Sequence, residues 1–268
     1  MKRIAVLMTC YNRAGITLRC LGRLFGQVPR DGYKLDVFLV DDASPDGTGQ
    51  QVKEKYPLVN VVQSKGGLFW CRGMRLAWDV AADKGDYDFY LWLNDDVVLK
   101  QGAVAWLIED WERTKGVVVG TFSSDESESA ISYGATRKMP DGTPRIADVG
   151  MNGNLVLVPR EVYEKVGPIC GAYHHQYGDY DYGWLLRRNG FEFYASSRFC
   201  GVCPQQPERY LHLKGRSLTN RLKLLFDPKG YSLHDALLYS YRNKGVCRMV
   251  LSLGHIIFKV AFAMERCK

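Results

Sequence analysis

Tyr90-Leu91-Trp92-Leu93-Asn94-Asp95-Asp96-Val97-Val98-Leu99 is an apolar run that stops at two adjacent carboxylates and then resumes. Its first part has the unbroken apolar character of a strand buried on both faces. In an open α/β sheet, a strand ending in Asp95 and Asp96 delivers negative charge to the side where such folds bind ligands. Neighbouring carboxylates repel each other and are costly to desolvate unless a positive charge compensates them. A divalent cation carrying a phosphate ligand is the natural compensation. Magnesium and manganese take oxygen ligands and keep only one or two protein carboxylates, which leaves room for substrate phosphates. The same pair alone would equally fit a solvated turn, so the flanking segments decide.

Upstream, residues 4–9 form a continuous apolar run, and a helix opens at Asn12 or Gly15 with Ile16, Leu18, Leu21, Leu24 and Phe25 on its apolar face. Residues 35–40 read as a second strand, which ends in the turn chemistry of Asp41-Asp42-Ala43-Ser44-Pro45-Asp46-Gly47-Thr48. Residues 59–62 are a third strand, followed by a helix over about 72–82. Downstream, residues 102–113 read as a helix and 117–122 as a strand. This alternation predicts an α/β fold, a doubly wound, mixed but mostly parallel sheet flanked by helices. Thr9, Asp41, Asp42, Asp95 and Asp96 all fall just beyond strand ends. The first strand lacks Gly-x-Gly-x-x-Gly, which disfavours a dinucleotide, and no P-loop is present. What remains is a carboxylate-rich nucleotide site in which Asp41 or Asp42 could accept from ribose hydroxyls or a base N–H. Ser44 and Asp46 suit capping and turn formation instead.

Composition narrows the class. With 268 residues, 46% of them hydrophobic, the chain can bury a large core, and disorder is not expected. The apolar start ends at Cys10-Tyr11-Asn12-Arg13 without a small-residue cleavage site, so it reads as a strand rather than a leader. Eight cysteines lack metal-ligand spacing, which disfavours zinc, and with no leader read at the start the thiols are expected to be reduced in a cytoplasmic setting. Residues 204–268 hold 12 Lys and Arg against 4 Asp and Glu, a net +8, and residues 1–203 hold 24 against 25, a net −1. A near-neutral body with a basic tail predicts an anionic surface as partner and no nucleic acid.

The second half contributes Gly153-Asn154-Leu155-Val156-Leu157-Val158-Pro159-Arg160, a strand running into a short helix. It then contributes Tyr177-Gly178-Asp179-Tyr180-Asp181-Tyr182-Gly183-Trp184, the start of a helix that ends at Gly190. Asp179 stands at that helix start, where the dipole favours a carboxylate.

Cys10-Tyr11-Asn12-Arg13, the 40–48 stretch and Leu93-Asn94-Asp95-Asp96 resemble, in that order, the nucleotide-binding half of family 2 glycosyltransferases, which have the GT-A fold. Rhamnosyl- and galactosyltransferases of bacterial cell-surface polysaccharides are of this kind. The resemblance spans about the first two hundred residues. It implies that the aspartate pair serves as the DXD motif, with Asp96 on the metal and Asp95 near the ribose or sugar. The 177–190 segment resembles Glu-Asp-x-Asp-Leu-x-x-Arg, whose first Asp is the catalytic base, and this carries over to Asp179. Here Gly178 stands where the motif has Glu, and Leu185 where it has Arg. The implied enzyme is a hexosyltransferase that inverts configuration, uses Mn2+ or Mg2+, takes a UDP-, dTDP- or GDP-sugar donor and passes the sugar to a glycan or lipid-linked acceptor.

Further candidates follow. The resemblance adds Tyr11, Asn12, Arg13 and Asn94 to the donor side, and His212, in Leu211-His212-Leu213-Lys214-Gly215, as a further metal ligand. The glycine- and aromatic-rich 66–73 loop offers Gly67 and Arg72 to the donor phosphates and Trp70 to a sugar ring. Trp70, His174, His175 and Asp181 are assigned to the acceptor side. Two other classes compete, a nucleotidyltransferase that makes sugar nucleotides and a catalytically silent nucleotide-sugar-binding module. The first usually carries a glycine-rich, basic loop after strand one, which 9–13 is not.

The expected domain plan is a GT-A domain over 1–230, with its nucleotide-binding half at 1–122 and its acceptor and catalytic half at 123–230, followed by a basic amphipathic helical tail at 231–268. Arg248, Ser252, His255, Lys259 and Arg266 recur at helical spacing, one polar stripe on an otherwise apolar helix. The run is too interrupted by charge to span a bilayer. Peripheral association with the cytoplasmic face of an inner membrane is therefore expected, with packing on the catalytic domain or on a second subunit of a homo-oligomer as the alternative.

Overall fold

The computed structural model describes residues 1–27, 32–205, 213 and 215–262. The chain opens with β1 (Lys2–Cys10), α1 (Ala14–Phe25), β2 (Tyr33–Asp41), α2 (Thr48–Lys55) and β3 (Asn60–Gln63). It continues through α3 (Phe69–Lys84), β4 (Phe89–Leu93), β5 (Val98–Leu99), α4 (Ala103–Thr114) and β6 (Val117–Ser123). Two short strands, β7 (Ile131–Tyr133) and β8 (Arg145–Ile146), precede β9 (Leu155–Pro159), α5 (Arg160–Val166), α6 (Gly178–Arg188) and β10 (Phe193–Val202). α7 (Leu218–Phe226) and α8 (Leu233–Phe262) complete the described chain.

One sheet runs in the order β3-β2-β1-β4-β9-β6-β10-β5, with β7 on β6 and β8 on β10. β3, β2, β1 and β4 are parallel, as are β6 and β10. β9 lies antiparallel between β4 and β6, so the sheet is mixed through its centre. This strand is buried at every position, so its all-apolar sequence, Leu-Val-Leu-Val-Pro, carries no face alternation from which direction could be read. One apolar cluster fills the face under α1 and α4, and a second fills the opposite face under α3 and α6. α3 begins at Phe69 rather than near residue 72, because its first turn is drawn onto Asp42.

The chain winds outward from β1 to β2 and β3, then returns to β4 on the other flank of β1. That reversal opens a crevice beyond the carboxyl ends of β1 and β4, the place where doubly wound sheets bind ligands.

Candidate active site

Asn94 ends β4 by pairing with a neighbouring loop. Its N–H donates to the Asn154 carbonyl at 2.9 Å, its Nδ2 donates to Asn154 Oδ1 at 2.6 Å, and its Oδ1 accepts from Trp70 Nε1 at 2.6 Å. The next two residues therefore leave the ladder and face the crevice. Asp95 is buried and accepts from Thr17 Oγ1 at 2.9 Å. Arg13 Nη1 lies 3.3 Å from Asp95 Oδ1 and 3.2 Å from Asp96 Oδ2. Asp96 Oδ1 is buried without a hydrogen-bond partner among the described residues. Burial pushes the Asp95 carboxyl up to about 6; the Arg13 guanidinium opposes this and the Asp96 charge adds to it. One guanidinium thus serves two carboxylates, and one buried oxygen is left over. This donor set fits a hard divalent cation, with Asp96 as its ligand and Asp95 behind it. His212, the expected further ligand, lies outside the described residues.

The two aspartates at the end of β2 divide their work. Asp42 lines the cleft and accepts from Ser64 Oγ at 2.7 Å and from the N–H groups of Leu68 and Phe69 at 3.0 Å each. Asp41 does not line the cleft. Its oxygens accept from the N–H groups of Ser44 and Gly49 at 3.0 and 3.1 Å, so it organises the β2–α2 turn rather than a ribose. Two more expected donor contacts are corrected likewise. Asn12, at φ 53°, hangs its backbone N–H on Ser44 Oγ and lies outside the lining, and Arg72 Nε turns to the Gly171 carbonyl. Thr9, Tyr11, Arg13 and Gly67 do line the cleft.

On the opposite wall, α6 starts at Gly178 after Tyr177, which adopts the left-handed conformation at φ 65°. Ala43 and Phe69, at φ 59° and 57°, are also left-handed and line the same cleft. Such strain costs on the order of 1–3 kcal/mol per residue and collects at functional sites. Asp179 lies in the first turn of α6 and in the cleft wall. Its Oδ2 accepts from the Gly153 N–H at 3.0 Å, and its Oδ1 accepts from the Tyr180 N–H at 2.9 Å. Gly178 replaces the motif's Glu for a packing reason: a Cβ there would meet Cys71 Sγ at 2.6 Å.

Asp181 and His174 leave the acceptor side. Asp181 is buried and accepts from Tyr173 OH, Arg242 Nε and Nη2, and Asn243 Nδ2, at 2.7–3.2 Å. It ties α6 to α8. His174 Nδ1 lies 3.1 Å from Asp235 Oδ1, within a cap in which Asp235 also receives the N–H groups of 174, 175 and 176. Trp70 and His175 stay in the lining. The cleft of about 1550 Å³ brings Asp42, Asp95, Asp96 and Asp179 to one space.

The sequence profile of "Glycosyl transferase family 2" matches residues 5–193. The chain belongs to glycosyl transferase family 2. Among solved structures it is similar to the mannosyltransferase PcManGT from Pyrobaculum calidifontis in complex with GDP-Man and Mn2+, at 19% identity over 99% of this chain and 76% of that one, with TM-score 0.55. It is also similar to S. aureus TarS 1-349 in complex with UDP-GlcNAc, at 12% identity over 97% and 82%, with TM-score 0.59. At these identities the likeness establishes the GT-A fold. Among curated protein sequences none matches.

Four residues of this family 2 glycosyltransferase escaped the sequence reading. Thr17 stands one helical turn after Arg13, a spacing that could have placed it beside the aspartate pair. Arg216, Lys229 and Tyr231 line the cleft from the segment around α7, and Lys229 Nζ sits 5.4 Å from the centre of the Tyr11 ring. No local pattern announces them, because only the chain's return over the cleft brings them there.

Proposed function

We propose that the protein is a metal-dependent, inverting hexosyltransferase. It moves a sugar from a UDP-, dTDP- or GDP-linked donor to a hydroxyl of a glycan or lipid-linked acceptor of cell-surface polysaccharide, and it works at the cytoplasmic face of a membrane. The observation that carries the reading is the orphaned Asp96 oxygen in the same cleft as Asp179.

When bound at Asp96, Mn2+ or Mg2+ supplies positive charge to the diphosphate that leaves. The chain's own residues do the rest. Arg13 bridges Asp95 and Asp96 and holds them adjacent. Asp42 fixes the start of α3 and so the Gly67–Trp70 wall. The N–H groups of Gly153 and Tyr180 hold the Asp179 carboxylate in the cleft wall, where it takes the acceptor proton. The acceptor oxygen attacks the anomeric carbon, the bond from that carbon to the phosphate oxygen breaks with its electrons going to the diphosphate, and the acceptor proton passes to Asp179. One displacement inverts the anomeric configuration. General-base help of this kind contributes ~10²–10⁴-fold. The donors and the Mn2+ in the similar structures belong to those proteins and support the donor class by analogy.

The test is metal-dependent turnover of a panel of UDP-, GDP- and dTDP-sugars without acceptor. Slow release of nucleoside diphosphate is expected. Pyrophosphate exchange would assign a nucleotidyltransferase instead, and tight binding without turnover a silent binding module.

A further inference from the structure

Nineteen large hydrophobic side chains are exposed among the described residues, and ten of them fall between Leu218 and Phe262. By length and apolar composition α8 qualifies as a membrane-crossing helix. Its geometry argues otherwise. Gly245, at φ 81° and ψ 174°, breaks the helix. Ser240 Oγ donates to Ser252 Oγ at 2.9 Å, although the two residues are twelve apart. A straight helix would separate them by ~18 Å. α8 is therefore a hairpin of two arms, 233–244 and 246–262.

The arms have different jobs. The first is fastened to the catalytic helix: Asp235 caps residues 174–176, Arg242 and Asn243 hold Asp181, and Tyr239 stacks on Tyr177. The second packs one face, with Val260 and Ile256, on Leu225 of α7. Its opposite face, Val250, Leu251, Phe258 and Phe262, is exposed at 50–65%. α7 adds Leu222 and Phe226, one helical turn apart and likewise exposed. Arg248, His255 and Lys259 border the apolar face. Residues 215–262 carry eight Lys and Arg against two Asp, a net +6.

We infer that this hairpin docks, without crossing, on an anionic bilayer surface, with the Val250–Phe262 face in the headgroup region. A helix with a wide apolar face and basic borders lies in such an interface, and each basic residue adds attraction to anionic lipid. A second copy of the chain docked face to face would set the Arg248 and Lys259 cations against their own copies, whereas anionic lipid neutralises them. Because the first arm grips α6, docking also fixes how the cleft faces the bilayer.

The test is sedimentation of the full chain with vesicles of phosphatidylcholine alone and of phosphatidylcholine mixed equally with phosphatidylglycerol. The protein should pellet with the mixed vesicles at low salt and be released as salt rises. Phe258→Glu and Leu251→Glu should each weaken pelleting at least ~10-fold. Arg248→Gln combined with Lys259→Gln should weaken pelleting on the mixed vesicles and flatten its dependence on salt. Thermal unfolding serves as the fold check, so the result does not depend on the proposed reaction. No pelleting on anionic vesicles at low salt overturns the inference, as does a dimer that Phe258→Glu dissociates in a protein indifferent to vesicles.

Discussion

Asp235 and the Asp95–Asp96 pair are both acidic groups taken out of water, and the protein treats them in opposite ways. Asp235 is fully buried and receives three backbone N–H groups and two imidazoles. Burial alone would raise its carboxyl, but the N–H groups of Gln176 and His175, the His234 ring and the N–H of His174 outweigh it, and the group ends well below the usual carboxylate range. Asp95 has one hydroxyl and half a guanidinium, and burial wins. Asp96 keeps an oxygen with no donor among the described residues. A saturated carboxylate is a structural pin, whereas a starved one is, on the proposed reading, a place for a cation. Asp179, which lines the cleft and accepts the Gly153 and Tyr180 N–H groups, is neither a buried pin nor part of the pair.

The largest expected effect tests this third carboxylate. Asp179→Asn should lower turnover by ~10²–10⁴-fold and leave donor affinity nearly unchanged. Steady-state kinetics with nucleotide calorimetry would check it, and a loss of donor affinity with normal turnover would make Asp179 a binding residue. Next comes the saturated carboxylate. Asp235→Ala strands several buried donors and should cost ~3 kcal/mol of unfolding free energy. A urea midpoint shift worth under ~1 kcal/mol would break the contrast. The starved carboxylate should behave in reverse. Asp96→Ala removes a like charge from beside Asp95, so the metal-free protein should be as stable as the parent or slightly more so. In the parent, Mn2+ at a hundredfold excess over its Kd should stabilise by ~2.7 kcal/mol, and the variant should lose that thermal shift.

The smallest effect is the pH dependence. Asp95 has a folded value of about 6 against an ordinary ~3.9, so on acidification the folded state takes up this proton first. That group stabilises the protein as pH falls from about 6 to ~4. Asp235 is depressed, so its contribution is present above ~4 and drains away as pH falls further. Denaturation midpoints across this range should flatten above pH ~4 in Asp95→Asn and below it in Asp235→Asn.

Much of this arrangement was legible in the sequence. The apolar runs and their abrupt polar ends located β1, β2, β4 and β6, and with them the side of the sheet on which Asp42, Asp95 and Asp96 emerge. Strand ends are set by local chemistry, so local reading suffices. It failed for residues whose roles depend on a distant partner. Asp41 and Asp42 are neighbours in one turn, yet one caps Gly49 and the other faces the cleft. Asp179 and Asp181 share a helix turn, yet the second points at Arg242, some sixty residues on.

By itself the sequence determined the alternation of strands and helices, the carboxylate-rich strand ends and the basic, apolar tail, because each follows from the order of residue types over a few turns or pleats. Only the tertiary structure decided which carboxylates are satisfied. That depends on where β9 inserts, on how α3 begins over Asp42, and on a C-terminal hairpin that folds back at Gly245 to hold α6. Hydrogen-bond donors for a buried acid come from whatever the fold brings within 3 Å, and no short stretch of sequence records that.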